Sequence, residues 1–238
     1  QRIFHHWVMK NKFKNEISTN DLEFLTQDVV FSGDVGKKKV AYVHYPEYLA
    51  HLEGASLKSR WFWKTYYAPL LWNWYNQIDK IDLFLCNSEY TKRAIREKWG
   101  KEAYVVYPPV DIENFEPASK EDYVVTVGRF VKEKNYETVI KVAKLMPEVK
   151  FFIIGRKQDK DYYKRVMRLK PDNVMLFTDM SKTDLSFMLA RAKVYLHTMI
   201  GEHFGISIVE AMAAGCIPIV HNSGGTREAI GGFGRVYN

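Results

Sequence analysis

Residues 196–228, LHTMIGEHFGISIVEAMAAGCIPIVHNSGGTRE, decide how the chain is read. Residues 194–197 form a β-branched and aromatic run of the kind that fills a buried strand. The polar, glycine-containing segment 199–205 then leads into a helix, with Ile206, Val209 and Ala213 expected on its core face. Gly215 stops that helix, and residues 217–220 read as a second buried strand. Strand, loop, helix and strand make a right-handed crossover between parallel strands, which predicts an α/β fold. Two carboxylates stand inside this unit, Glu202 in the loop and Glu210 eight positions later on the helix. A carboxylate on an apolar, small-residue helix is costly to bury unless it meets a donor. Glu210 is therefore expected to face a cleft, where a polyhydroxyl ligand would supply donors.

Upstream, the sequence alternates regularly: strand 123–127, helix 136–146, strand 151–154, helix 161–169 and strand 174–177. A further helix, started in capping-box fashion by Ser181 and Asp184, ends near Arg191. Repeated β and α elements of this length predict a doubly wound parallel sheet. Between its first strand and helix lie Gly128, Arg129 and Phe130, then Lys132, Glu133, Lys134 and Asn135. A glycine lets the chain turn at the sheet's carboxyl edge, and two long cations beside a helix amino end suit a diphosphate. A solvated lysine loop is the plainer reading; it fits Lys132 well and Arg129 poorly.

The first half is sparser. Residues 1–39 hold apolar islands, LEFL and VVF, and a polar run 36–39 that reads as a turn. Residues 40–44 alternate β-branched and aromatic side chains and stop at Tyr45-Pro46, which leaves His44 at the carboxyl end of a strand. Open α/β sheets place ligands there, although a histidine in that position is also an ordinary polar terminus. A strand at 83–87, an N-cap at Ser88 for helix Glu89–Trp99, and a short strand at 103–106 follow. The diproline Pro108-Pro109 and the aperiodic polar stretch after it mark a domain division. Residues 1–112 are expected as a partial first Rossmann-like domain, 113–122 as a linker and 123–238 as a second such domain. Residues 58–78, KSRWFWKTYYAPLLWNWYNQI, interleave aromatics with Lys58, Arg60 and Lys64. Core packing, contact with a bilayer headgroup region and nucleic-acid stacking all fit that pattern.

With 238 residues and 47% apolar content, two domains can each bury a core, and nothing points to disorder. Cys86 and Cys216 sit far apart in apolar runs, as reduced core residues of a cytosolic protein would, and imply no metal site. The formal charge of +7 does not concentrate: 16 basic and 13 acidic residues precede residue 113, and 19 and 15 follow. That distribution disfavours nucleic acid and favours phosphate on a small ligand or an anionic membrane surface. No apolar run approaches the roughly 20 residues of a membrane span, and no signal peptide is recognisable.

The pattern E-H-F-G-x-x-x-x-E-A-M-A-A-G resembles the donor-site motif of glycosyltransferase family 4, and G-R-x-x-x-x-K resembles that family's diphosphate clamp. With VHYP, VVYPPVD, VGRFVKEKN, LHTMIGEHFG and HNSGG in the same order, the chain from about Val40 onward is similar in particular to α-1,2-mannosyltransferases. These extend lipid-linked oligosaccharide from GDP-mannose. The resemblance implies a GT-B-like pair of Rossmann-type domains, with the donor bound mainly by the second and the acceptor reached from the first. It assigns Gly128, Arg129 and Lys134 to the departing diphosphate, Glu202 to sugar hydroxyls, and the backbone of Phe204, Gly205 and Ile206 to sugar or diphosphate. Glu210 falls to the ribose, and His44 to the transferred sugar. The implied reaction retains anomeric configuration and needs no metal or other cofactor, the nucleotide sugar being a substrate; no D-x-D motif is present.

The expected partners are a nucleotide sugar, a glycan or lipid-linked acceptor and, through residues 58–78, a membrane surface on its cytoplasmic face. UDP-glucose or another nucleotide sugar is the alternative donor, and a non-catalytic nucleotide-sugar-binding module the alternative class. By comparison with the resembling enzymes the β/α series is expected to be incomplete at both ends, so that the chain by itself binds nucleotide diphosphate but transfers sugar poorly.

Overall fold

The computed structural model describes residues 20–26, 36–46, 61–62, 65–66 and 68–238, in two compact units, 1–107 and 108–238. The first unit has a parallel sheet in the order β1 (Asn20–Leu25), β2 (Gly36–Val43), β3 (Leu83–Cys86) and β4 (Ala103–Val105). Helices α1 (Ala68–Ile78) and α2 (Glu89–Trp99) accompany it. As its sequence indicates, α2 begins where Ser88 Oγ accepts the Thr91 N–H, and it ends at Gly100 with φ 64°. Val43, Phe84, Cys86 and Ile95 form the core with Trp74 and Ile78 of α1.

One expectation for this half is corrected. Residues 36–39 are not a turn but the start of β2, because the LEFL island is a strand that pairs with it in parallel. The two backbones approach so closely at Gly36 that a Cβ there would stand 2.4 Å from the Glu23 nitrogen. The inward position on β1 is Glu23, 8% exposed, with Lys39 Nζ 4.0 Å from its carboxylate, while Leu22 and Phe24 point outward; that inverts the usual hydrophobic alternation. The described part of the aromatic stretch divides between core and surface. Trp74 is core at 6% exposure, whereas Trp61 and Trp72 are 74% and 71% exposed. Lys58, Arg60, Trp63, Lys64, Tyr67 and the VVF island lie outside the described residues.

The second unit contains β5 (Glu121–Val127), α3 (Tyr136–Leu145), β6 (Lys150–Gly155), α4 (Lys160–Leu169), β7 (Val174–Thr178) and α5 (Lys182–Arg191). After these come β8 (Ala192–His197), α6 (Ile206–Ala213), β9 (Ile217–His221), α7 (Thr226–Ile230) and β10 (Arg235–Tyr237). The sheet is parallel throughout, in the order β10-β9-β8-β5-β6-β7. One core lies under α3 and α4, around Tyr136, Ile140, Phe151 and Val166; the other lies under α5, α6 and α7, around Val125, Leu189, Ile208 and Ala211. This is the doubly wound arrangement. The chain runs outward from β5 to β7, returns to place β8 beside β5, then runs outward the other way. The crevice beyond the carboxyl ends of β5 and β8 is the topological switch point, where such sheets bind ligands.

Residues 113–122 pack as part of this unit. Phe115 is 3% exposed in its core, the Ala118 N–H donates to Ala190 O, and Lys120 Nζ donates to the carbonyls of Ala190 and Ala214. The division into compact units falls between Tyr107 and Pro108. The core face of α6 also differs from the expected one. Ile208, Ala211 and Ala214 are fully buried while Ile206 is 45% exposed. The helix is apolar around most of its circumference, so periodicity does not single out one face; the turn at Gly205, φ 104°, sets its rotation.

Candidate active site

Of the residues that the sequence sets apart, Gly128, Arg129, Lys134, Glu202 and the start of α6 lie beside the carboxyl ends of β5 and β8, while His44 lies in the first unit. At the end of β5, Gly128 donates its N–H to Ile154 O and accepts the Tyr136 hydroxyl at 2.6 Å. A Cβ on Gly128 would come within 3.2 Å of Lys134 Cδ and Cε, so the glycine makes room for the lysine stem to lie across it. Gly155 serves the same turn from β6: a Cβ there would sit 1.7 Å from Gly128 O.

Lys134 closes a one-turn helix, Lys132–Lys134, and Asn135 follows with φ 51°. Its carbonyl accepts the Thr198 hydroxyl at 2.7 Å, and its Nζ lies 2.6 Å from Glu202 Oε2. Lys134 is therefore held at both ends from the loop after β8. Arg129 is exposed and donates from Nη1 to Gln158 Oε1 at 2.8 Å, which leaves most of its guanidinium donors open.

Glu202 carries the densest set of contacts. Oε2 faces Lys134 Nζ and also stands 3.3 Å from His197 Nε2, while Oε1 accepts the His203 N–H at 3.1 Å. Burial alone would raise this carboxyl, but His197 and the charge and hydrogen bond of Lys134 outweigh it and hold Glu202 well below the usual carboxylate range. It is an anion at neutral pH. His197 is 2% exposed, and burial pushes its imidazole below the ordinary histidine value against the opposing pull of Glu202. Nε2 stands 3.3 Å from Glu202 Oε2 without meeting the geometry of a formed hydrogen bond, and it has no other partner among the described residues.

Phe204 is buried, Gly205 turns the chain into α6, and Ile206 opens that helix. No side chain caps α6; the Ile208 N–H turns back to the Gly205 carbonyl at 2.9 Å, which leaves the N–H groups of Ile206 and Ser207 to meet an anion at the switch point. One turn further along, Glu210 is half-buried; burial raises its carboxyl, and the charge of Lys182 pulls the other way. Its carboxylate makes no hydrogen bond among the described residues, which is the state expected of an acceptor facing a cleft.

The loop after β9 cradles this constellation. A Cβ on Gly224, φ 68°, would stand 2.2 Å from Glu202 O, and one on Gly225 would stand 2.3 Å from His203 O. The Gly225 N–H donates to Glu202 O at 2.7 Å, and Ser223 Oγ accepts the Gly201 N–H at 2.8 Å. The sequence shows HNSGG without revealing this supporting role. It likewise assigns none to His197, Thr198 or Gly155, which act from the ends of neighbouring strands.

In the first unit, His44 lies one residue beyond β2, exposed, with its ring nitrogen 3.2 Å from Thr26 O. Its carbonyl accepts Asn87 Nδ2 at 3.0 Å and Thr91 Oγ1 at 3.2 Å, so two buried polar side chains fix the backbone from which it projects. Among the described residues no three His, Cys, Asp or Glu side chains gather to hold a metal ion.

Residues 110–234, just over half of the chain, match the family described as Glycosyl transferases group 1. A Dictyostelium discoideum protein named GDP-Man:Man(3)GlcNAc(2)-PP-Dol alpha-1,2-mannosyltransferase is 27% identical over 94% of this chain and 54% of its own length. Proteins of the same name from Mus musculus and Caenorhabditis elegans are 34% and 30% identical over 61% and 82% of this chain, and 35% and 51% of their own lengths. The chain thus spans about half, or less, of these relatives. In fold it is similar to Anabaena Alr3699/HepE in complex with UDP and glucose, with TM-score 0.73 and 18% identity over 92% of this chain and 64% of that one. TarM is similar with TM-score 0.71 and 17% identity, over 97% and 47%. The two-unit parallel α/β architecture is that of GT-B glycosyltransferases, as the sequence predicts.

Proposed function

The chain belongs to the Glycosyl transferases group 1 family, and from that premise we propose that it is the donor-binding portion of a retaining hexosyltransferase that moves mannose from GDP-mannose to a lipid-linked glycan. The observation that carries the reading is the grouping of Lys134, Glu202, Glu210 and the uncapped start of α6 at one switch point. The names of the relatives support mannose and a dolichyl-linked acceptor.

In this reading Arg129, Lys134 and the first turn of α6 receive the diphosphate, and Gly128 lets it approach the end of β5. Glu202 accepts sugar hydroxyls, Phe204 to Ile206 present backbone to sugar and diphosphate, and Glu210 accepts the ribose hydroxyls. The bond from the anomeric carbon to the diphosphate oxygen breaks while the acceptor oxygen bonds to that carbon from the same face, and the leaving oxygen takes the acceptor proton. Fixed cations aimed at the departing charge lower the barrier because they need no reorganisation as it develops. His44 remains a proposed catalytic residue at the carboxyl end of β2.

Trp61, Phe62, Tyr66, Trp72 and Tyr75 are exposed, and we assign them to an anionic bilayer surface that holds the lipid-linked acceptor. Among the described residues no helix is long and apolar enough to cross a membrane. Cys86 and Cys216 are buried and form no disulfide among the described residues, with the Cys216 thiol pushed up to about 11 by burial, which suits a reducing, cytoplasmic-side location. Transfer assays on the full-length protein with radiolabelled GDP-mannose, UDP-glucose and other nucleotide sugars test the proposal. Mannosyl transfer to a lipid-linked acceptor is expected; transfer from a uridine donor alone would replace the donor assignment, and no transfer from any would leave a binding module.

A further inference from the structure

The reaction as proposed leaves one buried polar group at the site without a task. His197, at the carboxyl end of β8, is 2% exposed, and among the described residues its Nε2 has no well-formed hydrogen bond although Glu202 Oε2 is 3.3 Å away. A buried ring nitrogen without a partner is costly, so a state of the site in which it is paired would account for its presence. The surrounding contacts supply such a state. Lys134 Nζ holds Glu202 Oε2, and the His203 N–H holds Oε1. A diphosphate at the uncapped start of α6 competes for the ammonium. Once that ammonium leaves, a carboxylate that is 15% exposed needs another donor close by, and Nε2 already stands beside the same oxygen.

The neighbours are fixed in a way that suits an exchange. The His197 ring stacks on Tyr195, centroids 6.2 Å apart and planes 18° from parallel, and its carbonyl accepts the Tyr237 hydroxyl. The Lys134 backbone is tied down by Thr198, so only the lysine stem, passing over Gly128, has to move.

We propose that His197 is a positioning residue to which Glu202 is handed when a nucleoside diphosphate draws Lys134 away, so that diphosphate occupancy readies Glu202 for the sugar hydroxyls. Burial keeps the imidazole neutral, and with its proton on Nε2 the ring donates one hydrogen bond while Glu202 keeps its charge. The inference rests on the donor-site reading, but part of its test needs no nucleotide.

The 238-residue chain, labelled with ¹⁵N-histidine, is followed by NMR with and without GDP, and His197 is identified among the seven histidines by its absence in His197→Gln. The expected free ring is neutral with hydrogen on Nε2, and that proton moves downfield when GDP is added. It moves the same way in Lys134→Met with no nucleotide present. Calorimetry adds a second readout: His197→Phe should lose about tenfold in affinity for GDP-mannose while its GDP affinity holds, and His197→Gln, which keeps an N–H donor, should regain part. A ring protonated on Nδ1, a signal unmoved by both GDP and Lys134→Met, or an equal loss of GDP and GDP-mannose in His197→Phe would overturn the handover. Failure of the wild-type chain to bind GDP would count against the donor site instead, and the Lys134→Met comparison would still decide the role of His197.

Discussion

Replacing Lys134 by alanine should destabilise the second unit even without nucleotide, and replacing Arg129 should not. Lys134 Nζ and Glu202 Oε2 are 2.6 Å apart, and each side chain is only 15% exposed. Deleting the ammonium leaves the carboxylate with the His203 N–H and, on the proposed handover, one hydrogen bond from a neutral imidazole in place of an ion pair. Removing one partner of a buried pair costs about 3–5 kcal/mol; residual exposure and the freedom of Glu202 to take up a proton place this case near the lower end, about 3 kcal/mol. For a unit of this size each kcal/mol is worth roughly 3–5 °C, so its melting transition should fall by about 10 °C. Arg129 is exposed, with one hydrogen bond to Gln158, and Arg129→Ala should stay within about 0.5 kcal/mol of wild type. Both variants should nevertheless bind GDP more weakly. A charge-assisted hydrogen bond to phosphate contributes about 1.5–3 kcal/mol, or about 10- to 100-fold in Kd. Lys134→Ala belongs at the smaller end, because the wild-type ammonium must give up Glu202 to reach the phosphate. Calorimetric melting and GDP titration of the same preparations provide the assay. Identical ligand-free melting of all three proteins would refute the stabilising role of the pair, and unchanged GDP affinity in both variants would remove the cations from the diphosphate site.

Glu202 is held below the carboxylate range on folding, so its contribution to stability is complete above the ordinary carboxylate pKa and is lost as pH falls through the depressed value. The stability gap between wild type and Glu202→Gln, followed by denaturant titration, should therefore narrow as pH drops below about 4; a constant gap would contradict the depressed carboxyl. Glu210 has the opposite sign: burial raises its carboxyl, so Glu210→Gln should melt slightly higher at neutral pH while binding GDP more weakly, and tighter GDP binding would sink the ribose role. Gly224→Ala combines a left-handed φ with a Cβ placed 2.2 Å from Glu202 O, and should cost about 2–5 kcal/mol; a thermal shift under a few degrees would show that the loop yields freely. In liposome co-sedimentation, Trp61→Ala with Trp72→Ala should reduce binding to anionic vesicles, whereas Trp74→Ala should lower stability by about 3–5 kcal/mol; equal sedimentation of all forms would return the exposed aromatics to a non-membrane role.

The second unit was the more legible half because each of its elements carries its own local sign. Ser181 accepts the Asp184 N–H as the capping pattern predicts, Gly215 takes φ 79° after α6, and the β-branched runs at β5, β6 and β8 are buried strands. Where the reading went astray, long-range contacts decided the outcome. Phe115 is one aromatic in a polar stretch, and only the hydrophobic core of the second unit makes it a core residue. β1 presents its charged residue inward, and that arrangement makes sense only once Lys39 on the neighbouring strand is known. The face of α6 followed a glycine dihedral rather than a periodicity that the helix barely has.

At the site, the sequence displays groups whose chemistry is in the side chain, and so Arg129, Lys134, Glu202 and Glu210 were visible. It conceals groups whose contribution is the lack of a side chain or a position at the end of another strand. Gly155 admits the Gly128 carbonyl, Gly224 and Gly225 admit the backbone of Glu202 and His203, and Thr198 holds the Lys134 carbonyl. These hidden contacts also change what the visible residues mean. Lys134 and Glu202 belong to two motifs 68 positions apart, yet in the structure they are one ion pair. A ligand for either must therefore contend with the other, and a diphosphate, which carries the charge that Lys134 seeks, can separate them where a neutral sugar cannot. Nucleotide binding should consequently precede any productive contact between Glu202 and the sugar, because electrostatics at the end of β8 favours that order.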